Sequence, residues 1–118
     1  MTGPPARPPW LCIIAGPNGS GKSTIAPEVL RGFDPALPYV NADDIARELS
    51  PGDVAKAAVE AGRIAVRRMN ALLEAGASFA LETTLSGFFQ IGLAQRAKAR
   101  GWRVDLTFVF LRSPPIEY

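Results

Sequence analysis

The chain opens its apolar pattern with Trp10-Leu11-Cys12-Ile13-Ile14-Ala15, a run in which no polar residue is left to face water. A short run of this kind, containing two isoleucines and followed by Gly16-Pro17-Asn18-Gly19, predicts a buried strand over residues 10–16. A helical pattern follows from about Gly21 to Gly32, with Pro27 inside it as a bend. Leu37 to Asn41 reads as a short second strand, and Asp43 to Leu49 as a short helix ended by Ser50-Pro51-Gly52. Asp53 then suits the cap of a long helix from Val54 to Ala75. Its apolar positions include Val59, Ile64, Met69, Leu72 and Leu73, and Gly76 stops it. Ser78 to Thr83 is a third strand, Phe88 to Arg100 a helix stopped at Gly101, and Val104 to Leu111 a fourth strand broken by Ser113-Pro114-Pro115.

The predicted order is β-α-β-α-α-β-α-β. Strands alternating with helices imply an α/β fold, a mainly parallel sheet of about four strands with helices on both faces. Residues 1–9 (MTGPPARPP) are dominated by proline and read as a disordered tail. Its PARP piece fits PxxP formally, but a solvated tail explains it as well. Residues 10–118 form one domain, with no internal repeat and no linker.

Composition narrows the chemistry. The 118 residues suffice for one core, and 47% hydrophobic with 20% charged residues is ordinary for a globular protein. A net charge of +2 does not suggest a nucleic-acid partner. The absence of histidine removes imidazole metal sites, histidine bases and Ser-His-Asp triads. The single cysteine, Cys12, lies inside the first apolar run and reads as a core thiol, which fits a reducing cytoplasm. No run approaches the roughly 18–20 apolar residues of a membrane span, and the first run is too short for a secretory signal. The expectation is a cytoplasmic protein without a membrane partner.

Gly16-Pro17-Asn18-Gly19-Ser20-Gly21-Lys22-Ser23 fits G-x-x-x-x-G-K-[ST], the phosphate loop or Walker A motif, and Thr24 follows it. Glycines permit backbone torsions and close approach that a Cβ forbids, so successive N–H groups can line an anion nest. A helix start adds its positive dipole end. Lys22 supplies charge to the β- and γ-phosphates, and the Ser23 hydroxyl is a ligand for Mg²⁺. The motif stands between a predicted strand and a predicted helix, where this chemistry requires it. ATP or GTP binding with Mg²⁺ follows. The guanine-reading N-K-x-D and the switch D-x-x-G are both absent. Leu85-Ser86-Gly87-Phe88-Phe89-Gln90 resembles the L-S-G-G-Q of transporter ATPases only superficially, because the next strand ends in Arg112 rather than an aspartate.

A kinase for a small molecule remains. Ligands of open parallel sheets gather at the carboxyl ends of the strands. Here those ends carry the glycine loop, then Asn41-Ala42-Asp43-Asp44, then Glu82-Thr83-Thr84, then Arg112-Ser113. A phosphoryl acceptor needs a carboxylate to take its hydroxyl proton. Asp43 and Glu82 are the candidates, with Thr83 beside Glu82 in the substrate site. Asp43 also suits an N-cap of the helix after it, and Asp44 suits a first-turn charge. Glu82 follows Phe79-Ala80-Leu81, where a carboxylate without a partner is costly to bury.

Three segments together, Ile14-Ala15 running into the glycine loop, Val40-Asn41-Ala42-Asp43-Asp44-Ile45-Ala46, and Phe79-Ala80-Leu81-Glu82-Thr83-Thr84-Leu85-Ser86-Gly87, resemble the zeta toxin family of P-loop kinases. The resemblance covers about residues 10–114. It implies a three-layer α/β/α P-loop NTPase fold and transfer of the ATP γ-phosphate, with Mg²⁺, to a small-molecule hydroxyl, in this family the sugar of UDP-N-acetylglucosamine. Carried over, Lys22 and Asp43 are catalytic, Asp43 as general base. Gly16 to Thr24 hold the nucleotide, Ser23 the metal, and Asp43, Glu82 and Thr83 the acceptor. An antitoxin protein is the partner the resemblance implies.

Two departures stand out. The family's arginine after the base is replaced by Ala46, with Arg47 one residue on. The helical lid with phosphate-gripping arginines and the fifth strand have no counterpart after Pro114, so the domain is expected to be incomplete at its carboxyl end. Arg112, or Arg63, Arg67 or Arg68 on the long helix, are the remaining candidates for that charge. The alternative readings are a nucleotide-binding module or truncated remnant without transferase activity, or another small-molecule phosphotransferase.

Overall fold

A computed structural model describes residues 7–16, 34, 36–83 and 89–108. Four strands, β1 (Trp10–Ala15), β2 (Tyr39–Val40), β3 (Phe79–Thr83) and β4 (Arg103–Phe108), form one sheet in the order β2-β3-β1-β4. Every pairing is parallel. The α-helices among the described residues are α1 (Ala42–Leu49), α2 (Ala58–Ala75) and α3 (Phe89–Ala99). The helix predicted over 21–32, the end of the fourth strand beyond 108 and the Pro-Pro break lie outside the described residues.

β1 is central, hydrogen-bonded to β3 on one side and β4 on the other. That position explains its unbroken apolar run, since a central parallel strand is covered on both faces. Leu11 to Ala15 are all buried. On one face Leu11 and Ile13, with Phe79 and Leu81 from β3, pack against all three helices. On the other, Cys12, Ile14 and Ala80 form a smaller cluster against Trp10, Leu37 and Tyr39. Burial pushes the Cys12 thiol up to about 11, helped by the Asp105 carboxylate and opposed by Arg103. It is an inert core group.

Several element ends differ from the sequence expectation for identifiable reasons. β2 is only Tyr39–Val40. Pro38 has no N–H for the ladder, although its carbonyl still accepts from the Ala80 N–H at 2.9 Å. Asn41 leaves the strand to cap α1. The long helix does not start at Val54. Asp53 Oδ1 accepts from the Lys56 N–H at 3.2 Å, capping a 3₁₀ turn, Ala55–Ala57, and α2 begins after it. Its buried stripe is Ala61, Ala65, Met69 and Leu73, at four-residue spacing, which turns Val59 outward to 71% exposure. Gly76 ends α2 in the left-handed region, φ 68°, with the Ala77 N–H closing back on the Leu72 carbonyl.

The chain steps from β2 to β3 and from β3 past β1 to β4 in the same direction along the sheet. Right-handed crossovers then require α1, α2 and α3 on one face, where they are found. The step from β1 to β2 runs the other way. The connections leaving β1 and β3 therefore diverge, and the carboxyl ends of these two neighbours are the topological switch point of the sheet.

Phe79 is fully buried and meets Trp102 edge-on, with ring centroids 5.9 Å apart at 76°. Phe79→Ala is expected to cost about 3–5 kcal/mol in chemical denaturation. Val59→Ala is expected to stay within about 0.5 kcal/mol. Equal effects at the two positions would contradict this assignment of the core face.

Candidate functional site

The carboxyl ends of β2 and β3 open into a cleft of about 270 Å³ under α1, α2 and the start of α3. Its floor is apolar, with Val66 and Met69 from α2, Leu81 from β3 and Phe89 from α3. Its polar lining is Asn41, Asp43, Glu82, Thr83 and Gln90. Asp43, Glu82 and Thr83, far apart in sequence, are thus brought to one cavity.

Each is placed by local structure. Asn41, not Asp43, is the N-cap of α1: its Oδ1 accepts the Asp43 N–H at 2.9 Å. Asp43 stands in the first turn with its side chain exposed, next to the positive end of the helix dipole. Asp44 turns away from this role and pairs with Arg47 across one turn at 2.5 Å. With both side chains more than half exposed, that pair contributes little to stability.

Glu82 and Thr83 point to opposite faces of the sheet, as successive strand residues must. The Thr83 hydroxyl faces the helices and accepts from Gln90 Nε2 at 2.6 Å. The Glu82 carboxylate turns toward Tyr39, whose ring packs on the Cys12 face. Glu82 Oε2 accepts from the Tyr39 hydroxyl at 2.8 Å and from Asn41 Nδ2 at 2.5 Å. Hydrogen bonds to a carboxylate lower the cost of placing it at a half-buried strand end. Burial, and then the bond to Glu82, raise the Tyr39 phenol far above its ordinary 10.0.

Gly16 leaves β1 at the switch point, and its N–H donates to the Thr83 carbonyl at 3.2 Å. The first residue of the phosphate loop is therefore fixed to the strand that carries Glu82 and Thr83. Pro17 to Thr24, including Lys22 and Ser23, lie outside the described residues, as does Arg112. The three arginines of α2 are exposed and absent from the described lining of the cleft, and Arg67 turns toward Glu60 at 3.5 Å.

The sequence pattern does not single out Tyr39, Asn41 or Gln90 as site residues. The N-cap preference for asparagine before a helix was the available signal for Asn41, and the i, i+2 spacing of Tyr39 and Asn41 places them along one strand edge. No sequence signal marks Gln90. Its Oε1 is buried beside the cleft and has no partner among the described residues. No cluster of three or more metal-ligating side chains occurs among the described residues. Mg²⁺ in a phosphate-loop site needs none, since a loop hydroxyl and nucleotide phosphates supply its oxygens.

The zeta toxin family model matches residues 2–113. A protein of Haemophilus influenzae, described only as uncharacterized, is 34% identical over 99 residues, 82% of this chain and 67% of its own. Among solved structures, the PezAT chromosomal toxin-antitoxin system of Streptococcus pneumoniae superposes with a TM-score of 0.71 at 22% identity, over 87% of this chain and 47% of that one. A putative kinase from Chloroflexus aurantiacus gives 0.66 at 17% identity, over 87% and 60%. The Pnkp1/Rnl/Hen1 complex gives 0.65 at 22% identity, over 96% and 38%. The chain thus spans 38–60% of the length of these structures, and at such identities the likeness is one of fold. The parallel four-stranded α/β sheet is the P-loop type of fold they share.

Because its native phenol is held protonated, Tyr39 contributes stability that is complete below about pH 10 and is lost as pH rises beyond it. The chain has two tyrosines. Phenolate absorbance, compared with Tyr39→Phe, should show Tyr39 delayed until strongly alkaline pH, and Glu82→Gln should bring it down. An unchanged titration in Glu82→Gln would contradict the Tyr39–Glu82 bond.

Proposed function

The chain belongs to the zeta toxin family, and from that premise we propose that it is a kinase transferring the γ-phosphate of ATP to a hydroxyl of a small molecule. The observation that carries the reading is the position of Asp43. It is an exposed carboxylate on the first turn of α1, lining a cleft at the strand ends beside the origin of the phosphate loop. A base for phosphoryl transfer belongs there, reachable by the acceptor and held by a rigid element.

In this reading Asp43 takes the proton of the acceptor hydroxyl as its oxygen attacks the γ-phosphorus. The bond from that phosphorus to the β–γ bridging oxygen breaks, and ADP leaves with the electron pair. Glu82, held by Tyr39 and Asn41, and Thr83, held by Gln90, bind the acceptor from either face of the sheet edge. Gln90 Oε1, which has no partner among the described residues, suits an acceptor rich in hydroxyl or amide donors, and a UDP-sugar such as UDP-N-acetylglucosamine is the first to try. Lys22 and Ser23, on the loop that Gly16 opens, would hold the phosphates and Mg²⁺. The metal's contribution when bound is to neutralise phosphate charge. The toxin-antitoxin setting of the pneumococcal structure supports an antitoxin protein as a further partner.

Incubation with Mg²⁺ and γ-labelled ATP, with and without UDP-N-acetylglucosamine, tests this. Label should move to the sugar nucleotide, and Asp43→Asn should slow transfer by about 10²–10⁴-fold while leaving ATP affinity near wild type. Lys22→Ala should weaken ATP binding. Transfer that survives Asp43→Asn would remove Asp43 from the base role. ATP binding with no transfer to any acceptor would replace the kinase by a nucleotide-binding module. Undiminished ATP affinity in Lys22→Ala would overturn the phosphate-loop reading.

A further inference from the structure

Asn41 does more than a cap requires. Its side chain sits in a residue only 8% exposed, and both ends of its amide are engaged. Oδ1 accepts the Asp43 N–H at 2.9 Å, and Nδ2 donates to Glu82 Oε2 at 2.5 Å. The orientation is forced, because a backbone N–H only donates and an ionised carboxylate only accepts. Aspartate or serine would cap the helix about as well. Neither carries an amide donor that reaches the neighbouring strand while the cap is kept. β2 ends at Val40, opposite Leu81, so Asn41 leaves the sheet beside Glu82. One buried amide therefore joins the end of β3 to the first turn of α1.

The mechanical setting matters. α1 has eight residues and is anchored by Ile45 and Ala46, buried one turn further on. The direction of Asp43 depends on the backbone of the turn before that anchor. The capped atom is the Asp43 N–H itself.

We propose that Asn41 is a positioning residue that couples the acceptor-binding carboxylate Glu82 to the base Asp43, so that an acceptor bound at Glu82 sets the first turn of α1 for proton removal. The proposal rests on the roles given above to Glu82 and Asp43. It assigns to Asn41 no contact with the reacting atoms. The coupling works through two hydrogen bonds of one side chain.

Two variants separate positioning from capping. Asn41→Ser keeps a cap and gives up the amide bond to Glu82. It should melt within a few degrees of wild type yet lose about tenfold or more in kcat/KM for the acceptor, with KM for ATP unchanged. Asn41→Asp also caps, but it sets a carboxylate against Glu82. Of the two variants it alone should move the acid limb of the pH profile upward, because two carboxylates in contact do not both ionise readily. Wild-type acceptor kinetics in both variants would overturn the proposal.

A readout independent of turnover is the NMR signal of the Asp43 amide. Glu82→Gln should shift it when Asn41 is present and leave it unmoved in the Asn41→Ser background. A shift that persists in Asn41→Ser, or none in the wild-type background, would overturn the coupling. Should the wild-type protein transfer no phosphate at all, the kinase reading falls, and this pair of spectra still decides the coupling.

Discussion

A strand covered on both faces cannot spend side chains on chemistry, and β1 is such a strand. Leu11 to Ala15 are all buried, and their backbone groups are committed to β3 and β4. Function can begin only where the strand stops, and it stops at Gly16. From there the parallel pairing fixes what stands beside the exit. Ala15 pairs with Thr83, and the Gly16 N–H reaches the Thr83 carbonyl. The polar ends of β2 and β3 follow from the same register. A slip of one residue would exchange the faces to which Glu82 and Thr83 point.

The cleft is built by combining an apolar floor with a polar rim whose groups hold one another. Tyr39, Asn41 and Gln90 each give a hydrogen bond to a residue proposed to touch substrate. Donors and acceptors at a half-buried edge are costly when unmet, so a network of this kind stabilises the edge while fixing its geometry. Thr83 lines this cleft and its carbonyl accepts the Gly16 N–H, so the cleft lies next to the strand end from which the phosphate-loop motif begins.

Much of this was legible in the residues. The six-residue apolar run, the glycine loop and the alternation of strand and helix patterns identified the fold class and its parallel sheet. Asp43, Glu82 and Thr83 were named from their places at strand ends, and they meet in one cleft. The misreadings share a cause. Residue type assigns Val59 to the apolar face, but the stripe through Ala61, Ala65, Met69 and Leu73 turns it to solvent. Small alanines carry little hydrophobic signal, yet Ala61 and Ala65 are buried in the main core. Asp43 suited an N-cap equally well by type, but the backbone leaves its extended conformation at Asn41, φ −136° and ψ 114°. The expected start of the long helix falls too early because a 3₁₀ turn and an α-helix share the same polar starting residue.

The sequence by itself determined the α/β class and the order of the described strands and helices, and it located the phosphate-loop motif and the carboxylates Asp43 and Glu82, because these depend on residue type at short spacing. Local preferences are set within a few residues of the chain, and a motif is a local object. Only the tertiary structure decided that Glu82 and Thr83 face opposite ways at one edge, that the α2 arginines turn from the cleft, and that Asn41 spans from strand to helix. Those outcomes depend on parallel register and on which helix face is buried, and both arise from packing between segments some 40 residues apart. No local pattern carries that information.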